Sequence, residues 1–238
     1  MSKRLIDIIF AALVLIVASP LILTAMLWIY AYDGQAPVYW SMRVGRGGRD
    51  FRMAKLRTMV VDAERRGGSS TSRSDARVTA PGRWLRRWKI DELPQLWNVL
   101  MGHMSLVGPR PNLRRGGVDR YTAEELGLLA ARPGVTDLAS IVFSDEADIL
   151  DGAPDADALY DRAIRPWKSR LGLLYISRRT IWIDLQILAL TAACLGHRPA
   201  ALRGVDGILA GWSAEEELRR VCRRREPLPR AAPPGLLA

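Results

Sequence analysis

Residues 5–32 read LIDIIFAALVLIVASPLILTAMLWIYAY, an apolar run interrupted by Asp7, Ser19, Pro20 and Thr24. The run exceeds the roughly 20 residues that cross a bilayer as a helix. It is too long for a secretory signal, and no small-residue cleavage site closes it. Pro20 has no N–H and clashes with the preceding turn, so it kinks or breaks a helix near its midpoint. The Ser19 hydroxyl can satisfy a carbonyl that the proline leaves free. Lys3 and Arg4 precede the run, while Arg43, Arg46, Arg49, Arg52, Lys55 and Arg57 follow it. Cations on both flanks suit a hairpin that dips into the membrane and returns, since cytoplasmic flanks carry the positive excess. From the residues alone, a single spanning helix and a re-entrant hairpin stand level.

Outward from this segment, the chain of 238 residues holds one ordinary domain plus appendages. Lys and Arg number 35 against 25 acids, for a net charge of +10, and this balance favours anionic partners. With only Cys194, Cys222, His103 and His197, a disulfide framework is excluded and a zinc site is disfavoured. Residues 182–195 are apolar but hold Asp184 and suit a buried or interfacial helix. Val38–Val44 and Phe51–Met59 read as strands around the turn Gly45-Arg46-Gly47-Gly48. Arg65–Ala76 reads as a polar loop. Thr122-x-x-Glu125 and Ser213-x-x-Glu216 fit capping boxes ahead of helices at Ala123–Ala131 and Ala214–Arg225. The last helix carries five arginines, either a solvated end or an attraction to anionic lipid. From Pro227 onward the composition is that of a disordered tail. The expected organisation is a membrane anchor over 1–33, the main domain over 34–200, and a basic helix with its tail over 201–238. The expected fold class is mixed α/β: a compact, mostly helical domain with a small β element and interfacial amphipathic helices.

The chemistry centres on Lys89-Ile90-Asp91-Glu92-Leu93-Pro94-Gln95-Leu96-Trp97-Asn98-Val99. Acidic residues before a proline complement a helix dipole, and that structural role suffices for many such stretches. The functional reading begins with the cations upstream. An Asp among them stays ionised and can attack phosphorus. A neighbouring carboxylate can hold Mg²⁺ together with substrate phosphates. Lys55, Arg57, Arg86 and Arg110 could neutralise a diphosphate. Arg110 lies in Gly108-Pro109-Arg110-Pro111, where the flanking prolines restrict the backbone and fix its pose.

Lys55-Leu56-Arg57-Thr58-Met59, the Asp91–Val99 stretch and Met104-Ser105-Leu106-Val107-Gly108-Pro109-Arg110-Pro111 resemble the bacterial sugar transferase family, the monotopic phosphoglycosyl transferases. Lys3–Asp7, Ser19-Pro20, Arg132–Thr136 and Trp182–Leu185 match as well, so the resemblance covers roughly Lys3 to Leu195. It implies the short form of the family, an undecaprenyl-phosphate sugar phosphotransferase on the cytoplasmic face of the bacterial inner membrane. The implied reaction moves a sugar-1-phosphate from a UDP-sugar to undecaprenyl phosphate, with Mg²⁺, as the first membrane step of glycoconjugate assembly. The resemblance makes Asp91 the covalent nucleophile and Glu92 the Mg²⁺ ligand. Lys55, Arg57, Arg86 and Arg110 become phosphate-binding cations, and Ser19-Pro20 the hairpin break. Asp184 matches an acid of less certain role. His103 replaces a usual acid, Lys89 a common hydroxyl residue, and the acidic run 145–150 marks a subgroup whose sugar is open.

Two other readings remain: a membrane-tethered basic adaptor for nucleic acid or anionic lipid, and a bitopic scaffold. No nucleic-acid module is recognisable, and the basic residues are spread along the chain, so nucleic acid is not an expected partner. Expected partners are membrane lipids and the two substrates; a homodimer through the interfacial helices is compatible with the pattern.

Overall fold

The computed structural model describes residues 3–66 and 70–236. The apolar run is one helix, α1 (Lys3–Asp33), which stays helical through Pro20. Proline cannot donate to the carbonyl of Ile16, and the Ser19 hydroxyl donates to that oxygen at 2.7 Å instead. The middle of α1 is bare, with Ile16 and Val17 71% and 72% exposed. Both of its ends are tied to the rest of the chain. At the start, Lys3 donates to Asp184 and to the Val107 carbonyl. Asp7 is buried and accepts from Ser105 Oγ at 2.8 Å and the Leu106 N–H at 3.2 Å. At the far end, Asp33 accepts a two-pronged bond from Arg57 at 2.6 and 2.7 Å.

Antiparallel strands β1 (Val38–Val44) and β2 (Asp50–Leu56) pair from Val38↔Leu56 to Val44↔Asp50. Gly47 and Gly48 turn the chain between them at φ 67° and 76°, which a side chain would strain. The second strand ends at Leu56, short of the expected Met59. The Arg57 side chain turns back to Asp33, and the Thr58 carbonyl accepts from the Thr79 N–H. Helix α2 (Ala80–Arg87) follows, capped by the Thr79 hydroxyl on the Gly82 N–H. A 3₁₀ turn (Ile90–Glu92) leads into α3 (Gln95–Leu100). Arg4 donates to the Val99 and Leu100 carbonyls at the end of α3, where a cation also suits the dipole. Strand β3 (Ser105–Val107) pairs in parallel with β4 (Gly134–Thr136).

Helices α4 (Leu138–Val142), α5 (Glu146–Ile149), α6 (Ala156–Leu159), α7 (Arg165–Arg178), α8 (Ile181–Gly211) and α9 (Glu216–Arg223) complete the body. The mostly helical domain with a small β element is thus as expected. The chain kinks at His197 (φ −145°, ψ 75°), two residues before Pro199, and α8 then resumes past residue 200. Ala201, Leu202, Val205, Leu209, Leu218, Val221 and Cys222 share one core with Trp167, Leu171 and Tyr175.

The Thr122/Glu125 box forms reciprocally, at 3.1 and 3.0 Å, but opens a 3₁₀ stretch (Glu125–Ala130) rather than an α-helix. The Glu125 carboxylate is also drawn inward by Arg165 and Ser169. Ser213 makes no box. It takes φ 53°, and its N–H goes back to the Ala210 carbonyl, closing α8 instead of opening α9. The C-terminal segment, disordered by composition, is bonded to the body. Trp167 Nε1 donates to the Pro229 carbonyl, the Ala231 N–H to Arg162, and Thr122 Oγ1 to Pro234. Of the five arginines, Arg219 and Arg223 pair with Asp206, and Arg224 pairs with Asp145. Most of that positive charge is therefore neutralised within the chain.

Candidate active site

Asp91 and Glu92 occupy the 3₁₀ turn between α2 and α3. The residues on either side of them, Ile90 and Leu93, pack with Leu56 and Leu85 against Ile22, Ala25, Met26 and Ile29 of α1. The carboxylate pair therefore sits directly on the second half of the apolar helix. Around it, Lys55 Nζ donates to Glu92 Oε1 at 3.1 Å, and Arg110 grips both Glu92 oxygens. Arg86 Nε donates to Thr58 Oγ1 at 2.8 Å, which aims the guanidinium from the α2 side.

The two carboxyls are pushed apart. Burial raises Asp91, and the Glu92 charge adds to this against the pull of Lys55, Arg86 and Lys89. The cations expected from sequence to keep Asp91 ionised are thus opposed by its burial. Burial also acts upward on Glu92, but Arg110 and Lys55 together hold it well below the usual carboxylate range. Burial lowers Lys55 and Arg86. Arg110 is raised by Glu92 and stays charged throughout. Asp91 Oδ1 and Gln95 Nε2, one turn apart, are buried with no hydrogen-bond partner among the described residues. An unsatisfied carboxylate oxygen beside a second carboxylate is a hard-donor pair of the kind Mg²⁺ takes when phosphate oxygens complete its shell.

Arg57 is not brought to this pair. Its guanidinium is taken up by Asp33 and by the Ala36 carbonyl, so it fastens the end of α1. Asp184 is likewise a fastening residue. It accepts from Lys3 and from the Tyr175 hydroxyl, joining the start of α1 to α8 and α7. His103 stacks on Phe51, with ring centroids 5.8 Å apart. It lines an open groove of about 330 Å³ with Trp40, Met42, Trp97 and Met101.

Several residues that matter were not singled out from sequence. Asn98 is buried; its amide accepts from the Ala54 N–H at 2.9 Å and donates to the Arg52 carbonyl at 2.7 Å. It thereby stitches α3 to β2, the strand that carries Lys55. A polar residue inside the apolar Leu96–Leu100 stretch was the available signal. Asp33 could have been found too, because an acid at a helix C-terminus opposes the dipole and asks for a cation. At Gly82, a Cβ would stand 2.1 Å from the Thr58 carbonyl oxygen. Gly82→Ala is therefore expected to lift the start of α2 off Thr58, lower stability by about 1–3 kcal/mol and misplace Arg86. Thermal unfolding alongside a turnover assay checks this; an unchanged midpoint would disprove the close approach.

Fold and site together define a helical domain mounted on an apolar helix, with a carboxylate pair caged by cations. The family model for bacterial sugar transferases matches residues 1–198, and the chain belongs to that family. Among curated relatives it is similar to the undecaprenyl-phosphate galactose phosphotransferase of Salmonella typhimurium, 34% identical over 215 residues (84% of this chain, 41% of that protein). It is also similar to the undecaprenyl-phosphate glucose phosphotransferase of Komagataeibacter xylinus, 38% identical over 198 residues (80% and 35%). A third is the UDP-glucose:undecaprenyl-phosphate glucose-1-phosphate transferase of Caulobacter vibrioides, 36% identical over 198 residues (82% and 70%). The chain thus spans well under half the length of the first two.

Proposed function

We propose that this chain transfers a sugar-1-phosphate from a UDP-sugar to undecaprenyl phosphate in two phosphoryl transfers. The observation that carries this reading is the seating of Asp91-Glu92 on the apolar helix, through Ile90 and Leu93. A lipid phosphate at the membrane surface and a nucleotide sugar from water can meet only at that height. In the first step an Asp91 carboxylate oxygen bonds to the sugar-bearing phosphorus. The bond from that phosphorus to the bridging oxygen breaks, and UMP leaves with the electron pair. In the second step an oxygen of the lipid phosphate bonds to the same phosphorus, and the Asp91–phosphorus bond breaks to restore the carboxylate. Lys55, Arg86 and Arg110 offset the charge of the diphosphate as it is cleaved. Mg²⁺, held by Glu92 with Asp91 beside it, would neutralise the phosphate oxygens when bound. Incubating membranes holding the protein with a panel of UDP-sugars and undecaprenyl phosphate tests the reaction; no UMP release with any donor would reject it.

The re-entrant reading of α1 is supported by its bonded ends. A straight 31-residue helix is roughly 46 Å long, enough to cross a bilayer, yet Lys3 and Asp33 both bond to residues of the one catalytic body. With that body on one face, α1 would bend at Ser19-Pro20 so that it enters and returns to the cytoplasmic side, as the flanking cations favour. A protease-cleavable tag placed ahead of residue 1 is expected to be cut only from the cytoplasmic side in inverted and right-side-out vesicles; cleavage from the outer side would establish a spanning helix.

A further inference from the structure

Lys89 differs from the other cations near the carboxylate pair. Lys55 and Arg110 are bonded to Glu92, Arg86 to Thr58 and Arg57 to Asp33. The Lys89 ammonium makes no hydrogen bond or ion pair among the described residues, and its side chain is exposed. Its charge nevertheless acts on both Asp91 and Glu92. The backbone at Lys89 is left-handed (φ 56°, ψ 19°), a conformation that glycine adopts freely and lysine only with strain. Its N–H goes to Arg86 and its carbonyl accepts from Glu92, so the strained residue turns the chain from α2 into the catalytic turn.

The chain neighbours of Lys89 lie against the apolar helix. Trp84 and Trp88, one turn apart on the same face, are exposed, and the Trp84 ring meets Trp28 of α1 at 5.7 Å. Leu85 and Ile90 pack on α1 beside them. Exposed tryptophans next to a lysine on an apolar helix form the composition that settles at headgroup height, with the ammonium reaching the phosphate layer.

We propose that Lys89 binds the phosphomonoester of the lipid acceptor and holds it for the second transfer. The inference rests on the two-step reading above. An anionic acceptor must approach a site that already holds two carboxylates, and an unpaired cation at the lipid edge offsets that repulsion. A lysine, as a point charge on a flexible stem, suits a phosphate that arrives on a long mobile chain.

The test separates the two half-reactions in full-length protein in detergent micelles. With UDP-sugar alone, Lys89→Gln is expected to release a single burst of UMP of full amplitude, its rate changed far less than its use of the acceptor. With acceptor added, its KM for undecaprenyl phosphate should rise about 10- to 100-fold, as expected for loss of a charged hydrogen bond, with kcat little changed. Lys89→Arg should recover most of that affinity. Lys89→Gly should unfold at a higher temperature, because the left-handed strain is relieved, while still losing acceptor affinity. A residue kept only for its turn would not produce that combination. An unchanged acceptor KM overturns the proposal. So does a burst reduced as much as turnover, which would assign Lys89 to the donor diphosphate. Loss of binding to phosphatidylglycerol vesicles with no change in acceptor KM would make it a general headgroup contact, and also overturns it. If the wild-type protein itself gives no burst from donor alone, the two-step reading fails first and the inference falls with it.

Discussion

Asp91→Asn is expected to stop UMP release from donor alone and to lower overall turnover by at least about 10⁴-fold, the scale of losing a covalent nucleophile. The amide has the shape of the carboxyl but cannot form the phosphosugar bond. The same substitution should not harm the fold. Burial and the Glu92 charge raise the Asp91 carboxyl in the folded chain. A group raised in this way favours folding only while protonated, and that contribution is lost as the pH climbs through its folded value. Above that value the ionised Asp91 is a cost to stability, and asparagine, which never carries the charge, removes it. Thermal unfolding at pH 7 should show a midpoint equal to or above that of the parent, with membrane association retained. Intact-mass measurement after donor alone should find the sugar phosphate on the parent and none on the variant. A variant that still turns over would remove Asp91 from the reaction; one that loses activity only because it unfolds would leave the nucleophile unassigned to this residue.

What could be read from sequence and what could not divide along the range of the interactions. Local patterns carried far. The apolar run became α1, and the proline at its midpoint is bridged by Ser19. The strand–turn–strand around Gly47 formed, and Asp91-Glu92 came to rest beside Lys55, Arg86 and Arg110. What local sequence could not show are the partners that lie far along the chain. Arg57 looks like a phosphate ligand by type and neighbourhood, but Asp33, 24 positions earlier, takes it. Asp184 is joined to Lys3 across 181 positions. The Ser213 box had the right spacing and failed because the end of α8 claimed the serine first. The tail had the composition of disorder but finds acceptors and donors on Trp167 and Arg162, which no local window contains.

Arg110 is the cation whose loss should reach both stability and chemistry. Its two guanidinium nitrogens meet both oxygens of Glu92, whose side chain is only 14% exposed. Arg110→Met leaves that carboxylate with Lys55 alone. Stranding a fully buried charge costs about 3–5 kcal/mol. Arg110 itself keeps 37% of its side-chain surface, so screening by water reduces the expected loss to about 1–3 kcal/mol. Turnover should fall about 10²- to 10³-fold as a clamp on the diphosphate disappears. Adding Glu92→Gln removes the stranded charge, so the double variant should regain much of the lost stability and none of the activity. Arg110→Lys should fall between, since one ammonium cannot meet two oxygens in parallel. Acid unfolding supplies an independent reading. Glu92 lies well below the usual carboxylate range in the folded chain, so its contribution is present above an unfolded value of about 4.3 and is lost as the pH falls through the folded one. Without Arg110 that loss should begin at a higher pH. Strictly additive stabilities for the two substitutions, or an acid transition that does not move, would mean that the Arg110–Glu92 grip does not hold the site together.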